Sequence, residues 1–595
     1  MRPKTASKKI FNFVLLKRVF RFAAPYKNKF YLSLVLSIVL ALLSPLRPWL
    51  IQLSINQGIR NNSTAHFIAG PGGFIIEITI IQLLLLLVES ACRFYFTFTT
   101  ASLGQTVVKD LRISTYQKIL QLNLKQFDTT AIGTLTTRTI NDVESINEIF
   151  SDGLIPIIAD LLSIAAVLSY MFYVDWQLTL VCLAPFPILV LATYFFKESV
   201  NKSFTNVRNA IARLNAFVQE HITGMSVVQA FAAEERESNK FREINTDHRN
   251  ANIKAIFAYS VFFPVVELVL ALSLGLLVWW AGGQNDFNTA GVITSFILCL
   301  NLLFRPLRVL ADKFNVLQMG MIAAERVFKV LDNDDTTPNK GLYKTSLMQG
   351  SISFDKVWFA YNEGNDVLKD ISFSIKAGEK LALVGHTGSG KTSVISLLNR
   401  LYPIQKGSIS IDGKNIEAYD LDFLRSKIGV VLQDVFLFSG SILDNMTLRN
   451  ESISKEEAVQ AAKLIGIHDF ILQLPGGYDY NVMERGATLS MGQRQLLSFA
   501  RALLYNPAIL ILDEATSSVD TETERLIQHA IDTLIADRTS IIIAHRLSTI
   551  RKADKIMVLD KGNLLELGTH EALLAKKGHY FQLHEMQFAT QEKQG

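Results

Sequence analysis

The chain has 595 residues, of which 49% are hydrophobic and 19% charged, and this length exceeds what one hydrophobic core organises. Its net charge of +5, from 59 basic and 54 acidic residues, is too small to indicate a nucleic-acid partner. The three cysteines, Cys92, Cys182 and Cys299, lie in apolar stretches without paired spacing, which argues against a disulfide framework or a metal site. Long apolar runs occur only in the first part of the chain. The composition therefore predicts an integral membrane protein with a soluble lobe.

The N-terminal segment, residues 1–29, is basic. It has nine Lys or Arg residues between Arg2 and Lys29 and no acidic residue, and apolar side chains such as Phe11 and Phe20 lie between them. This pattern predicts an amphipathic helix on the cytoplasmic membrane surface. A mitochondrial presequence would also be basic, but such sequences are rich in Arg and Ser, whereas this segment is rich in Lys.

Six segments are apolar over the roughly 20 residues that a helix needs to cross a bilayer. The proposed outer loops contain one basic residue, Arg60, whereas the inner connections are rich in Lys and Arg. Because basic residues favour the cytoplasmic side, both termini are predicted to be cytoplasmic. The third and fourth segments are separated only by Asp175, which predicts a very tight outer turn. The predicted spans, within a domain of residues 30–330, are Phe30–Gln57, Phe74–Leu103, Leu154–Val174, Trp176–Phe196, Ala255–Ala281 and Gly291–Gln318.

Two inner connections, 105–152 and 197–254, are too long to be simple loops. Both are polar, have a helical pattern and continue an apolar span, so the spans are predicted to extend into the cytoplasm as helices. Their turns, at residues 127–133 and 220–226, are candidate coupling turns on which a soluble motor acts; ordinary solvated helical hairpins are the alternative. Residues 331–346 form a polar linker. From residue 347 to 595, short apolar runs alternate with helical patterns, which is typical of an α/β domain.

A Gly-rich loop follows the apolar run Leu381 to Val384. Its backbone N–H groups and the following helix N-terminus form a site for a polyphosphate. Lys391 is predicted to reach the β- and γ-phosphates, and the Thr392 hydroxyl to bind Mg²⁺. The working ligand is ATP or GTP. The loop residues are Gly385, His386, Thr387, Gly388, Ser389, Gly390, Lys391 and Thr392.

A second element ends in an acidic pair. The run from Ala508 to Leu512 has the pattern of a buried parallel strand, and Asp513 and Glu514 stand at its carboxyl end, where ligands bind in such sheets. Asp513 is predicted to hold Mg²⁺ through water. Glu514 is placed to polarise the attacking water, either as a general base or as an orienting acceptor.

Between these two elements lies the run from Leu489 to Gln495, and with it the chain resembles the ATP-binding-cassette (ABC) family over nearly its whole length. The resemblance implies ATP and Mg²⁺ as cofactors. It implies that Tyr361 stacks on adenine, that Gln433 senses Mg²⁺, and that His545 contacts the γ-phosphate as a catalytic switch. It further implies nucleotide contacts across a dimer interface from Ser490, Gly492, Gln493 and Asp520.

The resemblance also implies the architecture. Six spans fused ahead of one cassette resemble the exporter branch, so the predicted fold is an α-helical six-span transmembrane domain with long cytoplasmic helical extensions, followed by an α/β P-loop nucleotide-binding domain. Such chains are half-transporters that work as dimers. Met491 stands where the family signature has Gly, a departure typical of one subunit of paired exporters. A heterodimer is therefore favoured, and a homodimer remains the alternative.

The predicted function is ATP-driven export of an amphipathic small molecule or lipid from the cytoplasm or inner leaflet, by alternating access. The expected location is a bacterial plasma membrane. A peptide exporter, and a nucleotide-gated channel or regulatory subunit with low turnover, are the alternatives. Ionisable residues in the spans are candidates for cargo contact: Arg47, Glu89, Arg93, Asp160, Glu267, Arg305 and Arg308.

Overall fold

The computed structural model describes residues 13–60, 73–282, 289–362, 364–513, 521–544 and 546–587. The chain divides into two compact units: Met1–Leu120 with Ile132–Asn333, and Gln121–Ala131 with Asp334–Gly595. The short segment Gln121–Ala131 therefore belongs to the second unit, although it is inserted between two helices of the first.

The first unit contains helices and no strand among its described residues. Short π-helical stretches at Ser54–Arg60, Arg138–Asp142 and Ile149–Gly153, and a 3₁₀ turn at Ala24–Tyr26, join some of them. One further helix, α5 (Leu124–Thr129), lies in the inserted segment of the second unit. The helices of the first unit are α1 Phe13–Ala23, α2 Lys27–Leu43, α3 Leu46–Leu53, α4 Gly73–Gln121, α6 Ile132–Thr137, α7 Val143–Glu148, α8 Leu154–Val174, α9 Trp176–Leu183, α10 Phe186–Thr223, α11 Met225–Ala230, α12 Glu234–Gly282 and α13 Thr289–Leu331.

The predicted six spans are confirmed. Within the described residues, six helical stretches are long and apolar enough to cross a membrane. Several are much longer than a bilayer requires: α4 and α12 each have 49 residues, or about 74 Å at 1.5 Å per residue. The polar continuations of these two spans are therefore helical, as the sequence pattern of the two inner connections indicated.

Proline breaks two of the spans that the sequence presented as continuous. The first is divided into α2 and α3 at Ser44 and Pro45, and the fourth into α9 and α10 at Ala184 and Pro185. Each break falls where the proline nitrogen has no hydrogen to donate to the preceding turn. The tight turn between the third and fourth spans consists of Asp175, whose side chain accepts a hydrogen bond from Leu178 N at 3.0 Å and so caps α9.

The N-terminal helix α1 has one buried face. Leu16, Val19 and Ala23 pack into a core shared with α4, α7 and the end of α13, where Phe328 lies. Its opposite face exposes Phe13 and Val14. Burial on one face only agrees with the predicted amphipathic helix. Residues 1–12 lie outside the described part of the chain.

The second unit is built on two sheets with helices around them. Its strands are β1 Ile352–Phe359, β2 Leu368–Ile375, β3 Lys380–Val384, β4 Lys406–Ile411, β5 Lys414–Asn415, β6 Ile428–Val431, β7 Ile509–Asp513, β8 Thr539–Ile543, β9 Lys555–Asp560 and β10 Asn563–Gly568. Its remaining helices are α14 Lys391–Leu398, α15 Leu421–Ser426, α16 Ile442–Thr447, α17 Lys455–Ile465, α18 His468–Gln473, α19 Met491–Leu504, α20 Thr521–Ile535, α21 Leu547–Arg551, α22 His570–Lys576 and α23 His579–Gln587, with 3₁₀ turns at Ile416–Ala418, Gly477–Asp479 and Glu484–Gly486.

The larger sheet has the strand order β10-β9-β3-β8-β7-β6. The pairs from β9 to β6 are parallel, and only β10 is antiparallel to its neighbour. The smaller sheet, β2-β1-β4-β5, is antiparallel. Parallel strands buried on both faces read as continuous apolar runs, which is why β3 and β7 were recognisable in the sequence.

Alternate residues of the central strands face two different cores. On β3, Leu381 and Leu383 pack in one core with the small sheet and α14, whereas Ala382 and Val384 pack in the other core with α19. Helices α14 and α19 therefore cover opposite faces of the large sheet.

Candidate functional site at the carboxyl edge of the parallel strands

The parallel strands of the large sheet all end at one edge, and several predicted site residues follow directly there. The Gly-rich loop follows β3, Gln433 comes two residues after β6, and Asp513 is the last residue of β7. Strands β3 and β7 are separated by β8 alone. The topology thus gathers the phosphate loop, Gln433 and Asp513, which are far apart in sequence, along one edge.

The ammonium group of Lys391 lies inside the Gly-rich loop. Its Nζ donates hydrogen bonds to the carbonyl oxygens of Gly385, at 2.7 Å, and His386, at 2.9 Å, and the residue is 9% exposed. Burial lowers the Lys391 pKa, and the negative charge of Asp513 opposes that shift. The loop therefore holds a partly desolvated cation that an anionic ligand would stabilise.

The backbone of this loop requires glycine at two positions. A Cβ on Gly385 would lie 2.1 Å from the carbonyl oxygen of Leu559, and Gly390 has φ +106°. The Ser389 hydroxyl is buried and has no hydrogen-bond partner among the described residues. The Gly-rich turn thus carries the N-terminus of α14 with its partial positive charge, the buried ammonium of Lys391 and the unpartnered hydroxyl of Ser389. This combination fits a polyphosphate.

Oxygen donors suitable for Mg²⁺ stand beside this loop. Thr392 is exposed in the first turn of α14, Gln433 is exposed after β6, and Asp513 is half-buried at the end of β7. Hydroxyl, amide and carboxylate oxygens are the ligands that this hard cation prefers. The residues present therefore fit a nucleotide with its magnesium ion.

Tyr361 lies just beyond the end of β1, close to the phosphate-loop helix. Its hydroxyl is 3.1 Å from Ser393 Oγ on α14. The backbone before it is held by the Gln405 side chain, which accepts a hydrogen bond from Ala360 N at 2.8 Å and donates one to Ala360 O at 2.7 Å. The half-buried Tyr361 ring is thus positioned beside the helix that carries Lys391 and Thr392.

The signature residues lie at the start of α19. Ser490 is the N-cap residue and shares a capping box with Gln493, while Gly492 is buried and Met491 is exposed. Helices α19 and α14 cover opposite faces of the sheet. The signature residues of a chain are therefore separated by the sheet from that chain's own phosphate-loop helix, α14. Glu514, Asp520 and His545 lie outside the described residues, and their roles stay predictions.

The sequence analysis missed two residues that support Tyr361. These are Gln405, which holds the backbone of Ala360, and Tyr402, whose ring is 5.0 Å from that of Tyr361, centroid to centroid. Neither belongs to a recognisable pattern, because both reach the site through the pairing of β1 with β4 and the end of α14.

Several ionisable residues predicted as cargo contacts are paired within the first unit. Glu89 pairs with Arg93, four residues further along the same helix, at 3.1 Å, and Glu267 pairs with Arg308 at 2.7 Å. Asp160 pairs with Lys313. Ion pairing lowers the cost of placing these charges among apolar helices.

Comparison with known proteins identifies the chain. Residues 30–307 match the family described as ABC transporter transmembrane region, and residues 368–517 match the family described as ABC transporter. An ATP-dependent lipid A-core flippase of Syntrophus aciditrophicus is 33% identical over 577 residues, which are 96% of this chain and 94% of that protein. This chain belongs to the ABC transporter family.

Two further matches are also ABC transporters. An uncharacterized ABC transporter ATP-binding protein of Bacillus subtilis, YknV, is 41% identical over 491 residues, which are 82% of this chain and 81% of that protein. The solved structure of a bacterial Atm1-family ABC exporter with ATP bound has a TM-score of 0.79 and 26% identity, and the match covers 95% of this chain and 99% of that chain.

Membership of this family settles the general activity. This ABC transporter is an integral membrane protein whose ATPase domain couples ATP hydrolysis to transport. ATPase domains of the family bind ATP, generally with Mg²⁺, and exporters of this type function as dimers of half-transporters. The predicted fold, a six-span domain with long helical extensions followed by an α/β nucleotide-binding domain, is confirmed.

Proposed function

We propose that this chain is one half of an ATP-driven exporter that moves an amphipathic small molecule or a lipid out of the cytoplasm or inner leaflet by alternating access. The observation that supports this most strongly is the fusion, in one chain, of six apolar spans with an ATPase unit whose nucleotide-binding elements lie along one sheet edge. The similarity to a lipid flippase over nearly its whole length supports a lipid-like cargo.

Each group at the sheet edge has a role in this proposal. Lys391 and the loop amides bind the β- and γ-phosphates, and Thr392, Gln433 and Asp513 would hold a magnesium ion. When bound, this ion would supply positive charge to balance the charge that develops on the transferred phosphoryl group. Glu514 orients and polarises the attacking water, and His545 contacts the γ-phosphate.

The signature residues of one chain lie on the sheet face opposite its own phosphate-loop helix. The second half-transporter therefore supplies the signature that completes each nucleotide site. The signature of each subunit, Ser490, Gly492 and Gln493 here, closes over ATP bound to the other, and Asp520 lies at the shared interface. We favour a heterodimer because Met491 places an exposed thioether in the first turn of α19, where the family pattern has glycine. The hydrolytic site would then combine this chain's Lys391 and Glu514 with the partner's signature.

The charge pairing in the spans supports an apolar or amphipathic cargo. With Glu89, Glu267 and Asp160 each paired to a basic residue, these positions offer little uncompensated charge to a strongly ionic substrate. The basic inner connections support cytoplasmic termini and a cytoplasmic ATPase unit in a bacterial plasma membrane.

The test is reconstitution of the full-length chain in liposomes that contain a fluorescent phospholipid. ATP hydrolysis and ATP-dependent movement of the probe between leaflets are measured together, with Glu514→Gln as the control. Coupled activity that this variant abolishes supports the proposal. Stimulation by peptides alone would indicate a peptide exporter, and ion conductance without ATP consumption would indicate a channel. A chain that binds ATP without turnover would show that a second subunit is required.

A further inference from the structure

Among the described residues, hydrogen bonds hold the inserted segment Gln121–Ala131 to the rest of the second unit at two places. At the first, Asp335 holds its N-terminal half: Asn123 N donates to Asp335 O at 3.1 Å, and Gln126 Nε2 donates to Asp335 Oδ2 at 2.6 Å. An isolated β-bridge between Leu122 and Thr336 lies beside these bonds. This first contact involves no residue of the nucleotide site.

The second contact leads directly to the nucleotide site. The Tyr402 hydroxyl donates a hydrogen bond of 2.5 Å to Asp128 Oδ2 near the end of α5. The Tyr402 ring meets the Tyr361 ring edge-on, with centroids 5.0 Å apart and planes at 89°. The Tyr361 hydroxyl lies 3.1 Å from Ser393 Oγ on α14. Three contacts thus connect the inserted segment to the phosphate-loop helix.

Tyr402 is well suited to keep this connection. It is 8% exposed, and burial together with its bond to Asp128 raises its pKa, so the phenol remains a neutral donor. Phe359 packs against both tyrosine rings, at 4.7 Å from Tyr361 and 5.8 Å from Tyr402 between centroids. The three rings form one packed cluster, so a shift of the Tyr361 ring also moves the Tyr402 ring.

We propose that Tyr402 is a positioning residue that links adenine binding at Tyr361 to the segment between α4 and α6, through its hydrogen bond to Asp128. This inference rests on the proposed function, because it takes Tyr361 as the adenine-stacking residue. Adenine that stacks on Tyr361 restricts the motion of the Tyr361 ring. The edge-on contact between the two tyrosine rings then restricts Tyr402, and the Tyr402 hydroxyl holds Asp128. By linkage, displacement of the segment changes ATP affinity by the same factor.

The experiment compares two ligands that share phosphates but differ in adenine. Lys125 is exposed on α5, so Lys125→Cys in a Cys92→Ser background accepts an environment-sensitive fluorophore, while Cys182 and Cys299 are buried. The full-length chain in lipid nanodiscs, with Glu514→Gln to prevent hydrolysis, receives ATP or inorganic tripolyphosphate. The measured quantity is the ATP response minus the tripolyphosphate response, each at saturation, with ATP binding measured separately by radiolabelled nucleotide.

Tyr402→Phe keeps the ring and removes the hydroxyl. We expect it to retain ATP binding but to reduce the fluorescence response to ATP to about that of tripolyphosphate, so that the adenine-dependent difference is lost. Asp128→Ala should give the same loss, and the double variant no further loss, because both changes remove one bond. Gln126→Ala, which weakens the contact with Asp335, is the matched control and should keep the adenine-dependent difference.

The outcomes separate this inference from the proposed function. An unchanged adenine-dependent response in Tyr402→Phe, or equal responses to ATP and tripolyphosphate in the parent protein, would overturn the link while ATP binding stands. Equal losses in Tyr402→Phe and Gln126→Ala would also overturn it, since they would show only a general loosening of the segment. Absence of radiolabelled ATP binding in the parent protein would instead overturn the proposed nucleotide site.

Discussion

Ser490 and Gln493 cap one another at the start of α19. Gln493 N donates to Ser490 Oγ at 3.3 Å, and Ser490 N donates to Gln493 Oε1 at 2.9 Å. This capping box fixes the first turn of the signature helix and leaves Met491, at its first helical position, 51% exposed. The cap survives the departure from the family pattern, so Met491 changes the exposed surface of this first turn rather than its capping.

Met491→Gly restores the glycine of the family signature. We expect it to raise the ATP turnover of the chain purified alone, because it removes an apolar side chain from the surface that would close over the partner's phosphates. Loss of helix propensity should cost roughly 1 kcal/mol of stability. The measurement is ATPase activity in lipid, and Met586→Gly, which removes an exposed Met from α23, is the control. Unchanged turnover would favour a homodimer whose two sites already work.

Glu514→Gln removes the predicted general base and keeps the side chain's size. We expect ATP binding to be retained and hydrolysis to fall roughly 100-fold or more, because general-base catalysis typically contributes that much. Equilibrium binding of radiolabelled ATP and steady-state phosphate release measure the two quantities on the same preparation. Near-normal release in the variant would remove Glu514 from the catalytic role.

The sequence predicted those parts of the site whose residues are close together in the chain. The Gly-rich loop and the strand ending in Asp513 are local patterns, and a parallel sheet brings such strand ends to one edge regardless of the loops between them. The bond between Tyr402 and Asp128 joins residues 274 positions apart. No local pattern encodes it, because it depends on where the inserted segment Gln121–Ala131 packs.

In the first unit, too, local patterns were predictable from the sequence and contacts between distant residues were not. Hydropathy identified all six spans, since the length of an apolar run reflects the bilayer thickness. It did not reveal the breaks at Pro45 and Pro185 or the pair between Glu267 and Arg308, which joins two different helices. The pair between Glu89 and Arg93 was predictable, because residues four apart share a helix face.

Gly385→Ala tests the close approach inside the phosphate loop. The added Cβ would lie 2.1 Å from the Leu559 carbonyl oxygen, which is backbone and cannot rotate away. We expect the loop to shift at a cost of roughly 1 to 3 kcal/mol and ATP affinity to fall roughly tenfold or more. Binding of radiolabelled ATP is the measurement. Gly378→Ala is the matched control, because Gly378 also has a positive φ, +79°, but open space around its Cβ position; a comparable loss of ATP affinity there would contradict the argument.

The ionisation of Lys391 predicts how ATP binding depends on pH. Burial lowers the Lys391 pKa below its usual 10.5, although Asp513 opposes the shift. Bound phosphates favour the charged ammonium, so ATP affinity should be highest below the lowered pKa and should fall as the pH rises through it. The dissociation constant is measured from about pH 8 to about pH 10 in EDTA, with circular dichroism to monitor folding. Lys391→Arg provides the comparison, because a guanidinium stays charged over this range. The ATP affinity of this variant should be weaker than that of the parent protein at the low end of this range but independent of pH. Parallel profiles for the two proteins would show that another group causes the fall.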